Sequence, residues 1–142
     1  MLEVKKYDVI YFEHNIISET KIKKSKIDFN PNNKIELLMT EHYPWNKVIK
    51  GDLMENIKFP NKNIRFQDHA TIPIVINQAK NVGVMYEALY NYDVGHPGNI
   101  TKKKDKYKDI YEAFEYLINA YSKGILKKED LTVLFIKKVY LR

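Results

Sequence analysis

The first third of the chain shows the alternating pattern of short β-strands. Residues 4–12 alternate between two faces of β-branched and aromatic side chains, so we predict a first strand there, and residues 16–22 can return as its hairpin partner. The lysines of residues 21–26 suit an exposed edge strand. After a turn signal at residues 30–33, residues 35–40 are predicted as a third strand, with a helical turn as the alternative.

The pattern loses its period between residues 41 and 66. Prolines, a glycine and several asparagines interrupt this stretch, so we predict loops with short strand segments at residues 48–49 and 64–66. Loop-rich regions of this length often carry binding residues. Trp45 and Arg65 are therefore candidate ligand-binding residues.

Two stretches of the C-terminal half have apolar residues at three-and-four spacing and are predicted as helices. The first spans about 72–91, with Thr71 as its N-cap and Pro73 in its first turn. Gly83 lies inside it, and a close contact with a neighbouring element would explain that glycine. The second helix spans about 105–122, and Gly124 suits a left-handed C-cap.

Residues 131–141 are predicted as a final strand. They are rich in β-branched residues and apolar on both faces, which is typical of a strand inside a sheet. These elements predict an α+β fold in one domain of residues 1–142. A mostly antiparallel sheet, made of the N-terminal strands and the strand at 131–141, would be packed by the two helices.

Composition narrows the class of protein. The chain has 142 residues, 44% of them hydrophobic, and no cysteine, which excludes disulfides and thiolate chemistry. No apolar run has the roughly 20 residues of a membrane span, and the charged N-terminus does not resemble a signal peptide. We therefore expect a soluble cytoplasmic protein without membrane contact.

The charge is basic but carried by lysine. The formal net charge is +6, and 22 of the 24 basic residues are lysines. Such a charge favours encounter with polyanions. The shortage of arginine weakens the case for sequence-specific nucleic-acid recognition, because arginine makes most bidentate contacts to bases and phosphates. Abundant lysine, asparagine, isoleucine and tyrosine also indicate A+T-rich coding.

The segment 93–104 combines the features of an anion-binding loop. Glycines let backbone amides approach a ligand, and a lysine run adds charge beside a predicted helix start. The candidate binding residues here are Gly95, Gly98, Asn99, Thr101, Lys102, Lys103 and Lys104. We expect Gly95 and Gly98 to adopt conformations unsuited to a residue with a β-carbon, and Asn99 or Thr101 to start the helix. The alternative is a plain surface connector.

Histidines are the candidate catalytic residues if the protein is an enzyme. His42, His69 and His96 could act as general acids and bases, with Glu41 or Asp68 orienting one of them. Arg65 and Lys102 would then hold phosphate. No metal-binding histidine spacing, phosphate-binding glycine loop or serine elbow occurs, so we predict neither a metal site nor a cofactor.

Three hypotheses on function follow. The leading one is a small non-enzymatic binding protein, encoded by a phage or mobile element, whose partner is nucleic acid, a nucleotide-like anion or a protein. The first alternative is a phosphodiesterase or nuclease with histidine acid–base chemistry, metal-independent or metal-assisted. The second is a structural or assembly subunit. The tyrosine-rich surface also predicts a homo-oligomer, because 11 tyrosines suit an interface as well as they suit stacking on bases.

Overall fold

The computed structural model describes residues 4–61, 64–95 and 107–140, and it confirms the α+β class. Within these ranges the strands are β1 (Val9–Ile17), β2 (Ile22–Lys24), β3 (Lys47–Ile49) and β4 (Val82–Asp93). The helices are α1 (Lys34–Met39), α2 (Gly51–Met54), α3 (Gln67–Gln78), α4 (Tyr107–Ser122) and α5 (Lys128–Tyr140).

Strand β1 is the centre of the sheet, since the other three strands pair with it. β4 runs parallel to β1 along its whole length, with register shifts around Glu13. β2 pairs antiparallel with residues 15–17 of β1, and β3 pairs antiparallel with residues 9–11. Because β4 occupies one edge of β1 throughout, the two short strands share the other edge.

The helices close the core over the sheet. α3 packs against α4, and α1 packs against both α3 and α5. The core joins Val9 and Tyr11 of β1 to fully buried side chains of the helices. These helix residues are Leu38, Ile72, Val75, Leu117 and Leu134.

The predicted strand at residues 35–40 is wrong, because this segment forms α1. Asn33 is the N-cap, and its side chain accepts hydrogen bonds from the backbone N–H groups of Ile35 and Glu36. The Glu36 carboxylate in turn accepts from the Asn33 amide at 2.8 Å and from the Asn30 N–H at 2.6 Å. This reciprocal capping starts a helix in spite of the β-branched and long apolar side chains.

The predicted helix at 72–91 is divided into a helix and a strand. α3 covers residues 67–78, so Thr71 lies inside the helix and Pro73 stands in its interior. The chain then turns at Lys80 and Asn81, whose N–H groups both donate to the Asp8 carboxylate, at 2.8 and 3.1 Å. Residues 82–93 pair with β1, and this long-range pairing overrides the local helical periodicity.

The predicted strand at 131–141 is also wrong, since Lys128–Tyr140 form α5. Glu129 and Asp130 lie in its first turn and Lys137 and Lys138 in its last, the order that favours the helix dipole. Asp130 is buried and accepts from the Lys127 N–H at 2.9 Å, which fixes the start of the helix. The sheet therefore contains no strand from residues 131–140.

Other predictions have mixed outcomes. The helix predicted at 105–122 is confirmed over its described residues as α4, and Gly124 follows it with a left-handed φ of +72°. The short strand at 48–49 is confirmed within β3. Residues 64–66 form a turn rather than a strand, since Phe66 takes a left-handed φ of 70° as it enters α3. The first strand lies at 9–17 rather than 4–12, and its hairpin partner is reduced to β2.

Gly83 lies in β4, and its expected close neighbour is the ring of Tyr7. A β-carbon at position 83 would lie 2.9 Å from Tyr7 Cδ1, inside van der Waals contact. We expect Gly83→Ala to destabilise the protein by about 1–3 kcal/mol in urea unfolding, the usual cost of overpacking. Gly51→Ala is the control, because a β-carbon at position 51 would meet no atom of the other described residues within 4 Å. Equal effects of the two variants would contradict the assigned contact.

Candidate functional site

Trp45 is the centre of a cluster of aromatic rings. Its indole stacks on Tyr43 (centroids 4.9 Å apart, planes at 12°), on Tyr90 (4.8 Å, 26°) and on Tyr92 (5.1 Å, 4°). The His14 ring packs against the indole in a T-shaped arrangement, with centroids 4.7 Å apart. Tyr43 and Tyr90 keep 36% and 41% of their surface exposed, so the cluster is open to solvent. We call these five residues the aromatic face.

The sheet register explains how residues distant in sequence reach the aromatic face. His14 of β1 pairs with Tyr90 of β4, and Ile16 pairs with Tyr92. On the other edge of β1, Ile16 pairs with Lys23 of β2. Directly paired residues point to the same side of a sheet, so Lys23, Ile16 and Tyr92 form one row beside the row of His14 and Tyr90.

A groove of about 550 Å³ adjoins the aromatic face. It lies between β1, residues 25–29 and the loop after α1, and His14 and Tyr43 form part of its wall. This volume lies within the range of ordinary small-ligand sites. The groove has charged residues of both signs, namely Lys26, Asp28, Glu36 and Glu41.

The loop of residues 40–46, which we call the strap, carries Tyr43 and Trp45 and is held by two lysines. Lys47 is buried, and its ammonium donates to the carbonyls of Glu41 (2.9 Å) and Tyr43 (2.6 Å) and to Asn46 Oδ1 (2.7 Å). Lys137 of α5 donates to the carbonyl of Thr40. Backbone carbonyls that would otherwise lack partners thus fix the strap on the protein.

The strap is also anchored by a pair of buried histidines. His42 Nδ1 lies 2.8 Å from His69 Nδ1, and His42 Nε2 lies 3.0 Å from the carbonyl oxygen of Leu38. Both residues are only 4% exposed. The rings of His69 and Phe114 of α4 pack in a T-shaped arrangement, with centroids 5.2 Å apart. The strap, α1, α3 and α4 therefore meet at these two rings.

These contacts determine where the protons lie. A carbonyl oxygen only accepts, so His42 Nε2 carries the proton that bonds to Leu38. The Nδ1 of a neutral His42 is then an acceptor, and His69 Nδ1 must donate to it. His69 Nε2 is left as an unprotonated nitrogen, and it is buried without a hydrogen-bond partner among the described residues.

Burial and neighbouring charge keep both rings neutral. Burial first, and then the charge of Lys137, holds the pKa of His42 well below its usual range. Burial, followed by the charges of Lys138 and Lys137, lowers the pKa of His69 to about 3. The same desolvation lowers the pKa of Lys47 to about 7 and that of Lys137 to about 8. The carboxyl of Asp68 has its pKa raised by burial.

The structure brings two of the residues predicted from the sequence together and places the other described ones apart from them. His42 and His69 come together, and Trp45 lies within 5 Å of Tyr43 and Tyr90, ring centre to ring centre. Arg65 is ion-paired to Asp109 of α4, with Nε 2.5 Å from Oδ2. Gly95 donates its N–H to Asp93 Oδ1 at 2.8 Å. His96, Gly98, Asn99, Thr101, Lys102, Lys103 and Lys104 lie outside the described residues.

Comparison with known proteins does not identify the chain. No family model, curated protein or solved structure matches it.

Two expectations about individual residues are corrected. Gly95 does not take a left-handed φ, since Gly124 is the glycine with positive φ in the described parts of the chain. A neighbouring acid does not orient either histidine ring, because the ring nitrogens bond to each other and to Leu38. Asp68 instead accepts from the backbone N–H of His69, at 2.8 Å.

Two further observations concern residues 4–61, 64–95 and 107–140. No group of three or more histidine, aspartate or glutamate side chains is placed there to hold a metal ion. No helix in those ranges is long and apolar enough to cross a membrane.

Sequence reasoning missed His14, Tyr90, Tyr92, Lys47 and Lys137 as site residues. The spacing of Tyr90 and Tyr92 by two positions was the available signal, since it places both on one face of a strand.

Proposed function

We propose that the protein binds single-stranded nucleic acid by stacking bases on the aromatic face. The observation that carries the proposal is the solvent-open stack of Tyr43, Trp45 and Tyr90, which lies on a sheet beside a groove of small-ligand size. Exposed aromatic rings on a sheet are the usual platform for unpaired bases. Each stacked base contributes about 1–3 kcal/mol.

Lysines beside the aromatic face suit the phosphate backbone. Lys23 lies in the row of Tyr92, and Lys26 lines the groove, and both are exposed. The groove also has three acidic residues, which repel a phosphate: Asp28, Glu36 and Glu41. We therefore place a base in the groove and the phosphate backbone beside Lys23 of β2. Point charges of lysine attract phosphates without reading sequence, which fits a chain with two arginines.

The structure gives less support to the enzyme alternative. Two of the three candidate histidines do lie together, but each is 4% exposed and their Nδ1 atoms bond to each other. A general acid or base must reach the proton of a bound substrate within about 3 Å. A phosphodiester has no such access to this pair, whereas the aromatic face is open to solvent.

Trp45 supplies the test, because it is the only tryptophan of the chain. We expect oligo-dT and oligo-rA of about 15 nucleotides to quench its fluorescence at low salt, and a duplex of the same length to quench it much less. Tyr90→Ala should weaken binding roughly 5- to 150-fold, the loss of one stacked base. Tyr90→Phe keeps the ring and should bind like the wild type.

Tyr111→Ala is the matched control. Tyr111 is 75% exposed on α4 and belongs to neither the aromatic face nor the groove, so its loss should leave binding unchanged. If Tyr90→Ala and Tyr111→Ala weakened binding equally, the aromatic face would not be the binding site, and the interaction would be only a nonspecific attraction between opposite charges. Absence of quenching by any single strand at low salt would rule the proposal out and favour a protein partner for the same surface.

A further inference from the structure

The buried histidine pair and the aromatic face are connected through the strap. Trp45 lies three positions after His42 in the strap, and Tyr43 is the residue next to His42. The His42 ring is hydrogen-bonded through both nitrogens, to His69 of α3 and to the carbonyl of Leu38 in α1. The position of Tyr43 and Trp45 therefore depends on these two hydrogen bonds, in addition to the lysine contacts of the strap.

We propose that His42 and His69 are positioning residues that act as a proton-sensitive latch, which holds the strap and its aromatic rings in place only while both imidazoles are neutral. The effect on ligand binding rests on the proposed function. The release of the strap itself does not, since it is a property of the free protein.

Protonation of either ring opposes the observed arrangement. A protonated His42 carries N–H groups at both nitrogens, so its Nδ1–H would face the Nδ1–H of His69 at 2.8 Å. A protonated His69 keeps that bond but adds a proton at Nε2, for which the described part of the chain supplies no acceptor. A buried charge with an unpartnered N–H is among the most unfavourable groups in a protein interior.

The charged groups around the histidine pair increase the free-energy cost of protonating either ring. Lys137 and Lys138 of α5 and Lys47 of β3 repel a proton on the rings. Two carboxyl groups belong to the same charge network, Asp68 in the first turn of α3 and Glu41 in the strap. Burial raises the pKa of the Asp68 carboxyl, which weakens its ability to compensate a charge on the rings as the pH falls, and Glu41 is exposed to solvent. The surroundings from α1 and α4 are the Leu38 carbonyl and the uncharged Phe114.

Acid therefore favours the released strap. Both histidines regain their ordinary pKa near 6.5 once they meet water, so the released form binds two protons that the closed form does not. Below pH 6.5 the ratio of released to closed strap should rise up to about a hundredfold per pH unit. With one titrating histidine the rise should be about tenfold per unit.

The experiment records Trp45 emission and far-UV circular dichroism of the free protein between pH 7.5 and 4. We expect a red shift of Trp45 below pH 6.5 with the helical signal retained. His69→Asn keeps an amide donor for His42 Nδ1 and cannot titrate, so its transition should follow the shallower, one-proton dependence. A transition of unchanged steepness in His69→Asn would overturn the latch, as would simultaneous loss of the helical signal.

One further histidine needs its own variant. His14 contacts the Trp45 ring directly, and burial lowers its pKa too, so its protonation could alter emission without moving the strap. The latch predicts that His14→Asn retains the two-proton transition, and loss of the transition in that variant would overturn it.

Oligo-dT binding at pH 7.5 and 5 is measured separately. A protein that shows the transition but binds no strand at pH 7.5 keeps the latch and loses the proposed function.

Discussion

Leu134→Ala should destabilise the folded protein by about 2–5 kcal/mol, which is the range for removing a large aliphatic side chain from a core. Leu134 has no exposed surface, and α5 places it in the same core as Leu117 of α4 and Leu38 of α1. The change leaves a cavity that these neighbours fill only in part. Urea unfolding followed by circular dichroism measures the loss.

Ile136→Ala is the informative comparison for this variant. In a strand, positions 134 and 136 would lie on the same face and both substitutions would be costly. In α5 the side chain of Ile136 is 47% exposed, so its truncation should change stability by less than about 1 kcal/mol. Similar large losses for the two variants would contradict the helix.

Stability should rise with pH between 7 and about 9 because of Lys47. Burial lowers its pKa to about 7 in the folded chain, against 10.5 as the ordinary value. In this window the unfolded chain therefore binds a proton that the folded chain does not, and the free energy of unfolding increases with pH by up to about 1.4 kcal/mol per unit. The neutral amine can still donate two of its three hydrogen bonds to the strap.

Lys47→Met should remove most of this rise and leave the smaller share of Lys137, whose pKa is about 8. The exposed Lys58 is the control, and Lys58→Met should keep the full dependence. The measurement ends near pH 9.5, since burial raises the pKa of Tyr11 and Tyr43 to about 12 and these groups reverse the trend at higher pH. A wild-type slope in Lys47→Met would contradict the assignment.

Helix α4 shows what local sequence determines in this fold. Its apolar residues recur at helical spacing, and Gly124 ends the helix in a left-handed conformation, so both were predictable. α5 was also open to prediction, because acids precede and lysines follow its apolar residues, yet its β-branched content favoured a strand. The end of α3 was not predictable locally, since Asp8, about 70 residues earlier, binds Lys80 and Asn81.

The candidate site divides in the same way. Trp45 was predictable as a site residue from its position in an irregular, aromatic segment. Its partners Tyr90 and Tyr92 come from β4, and their place depends on pairing with His14 and Ile16 of a distant strand. The contact between His42 and His69 spans 27 positions and requires α1 and α3 to be packed. No spacing rule in the sequence encodes such a contact.

The parallel pairing of β1 with β4 has a consequence for synthesis of the chain. In the pair of Val9 with Val82 the partners are 73 positions apart, and contacts of such high sequence separation form slowly because a long loop must close first. On the ribosome, His14 and Trp45 emerge well before the tyrosines of β4. The complete aromatic face therefore cannot exist in a nascent chain until Tyr92 has left the exit tunnel, and no fragment that ends earlier can carry it.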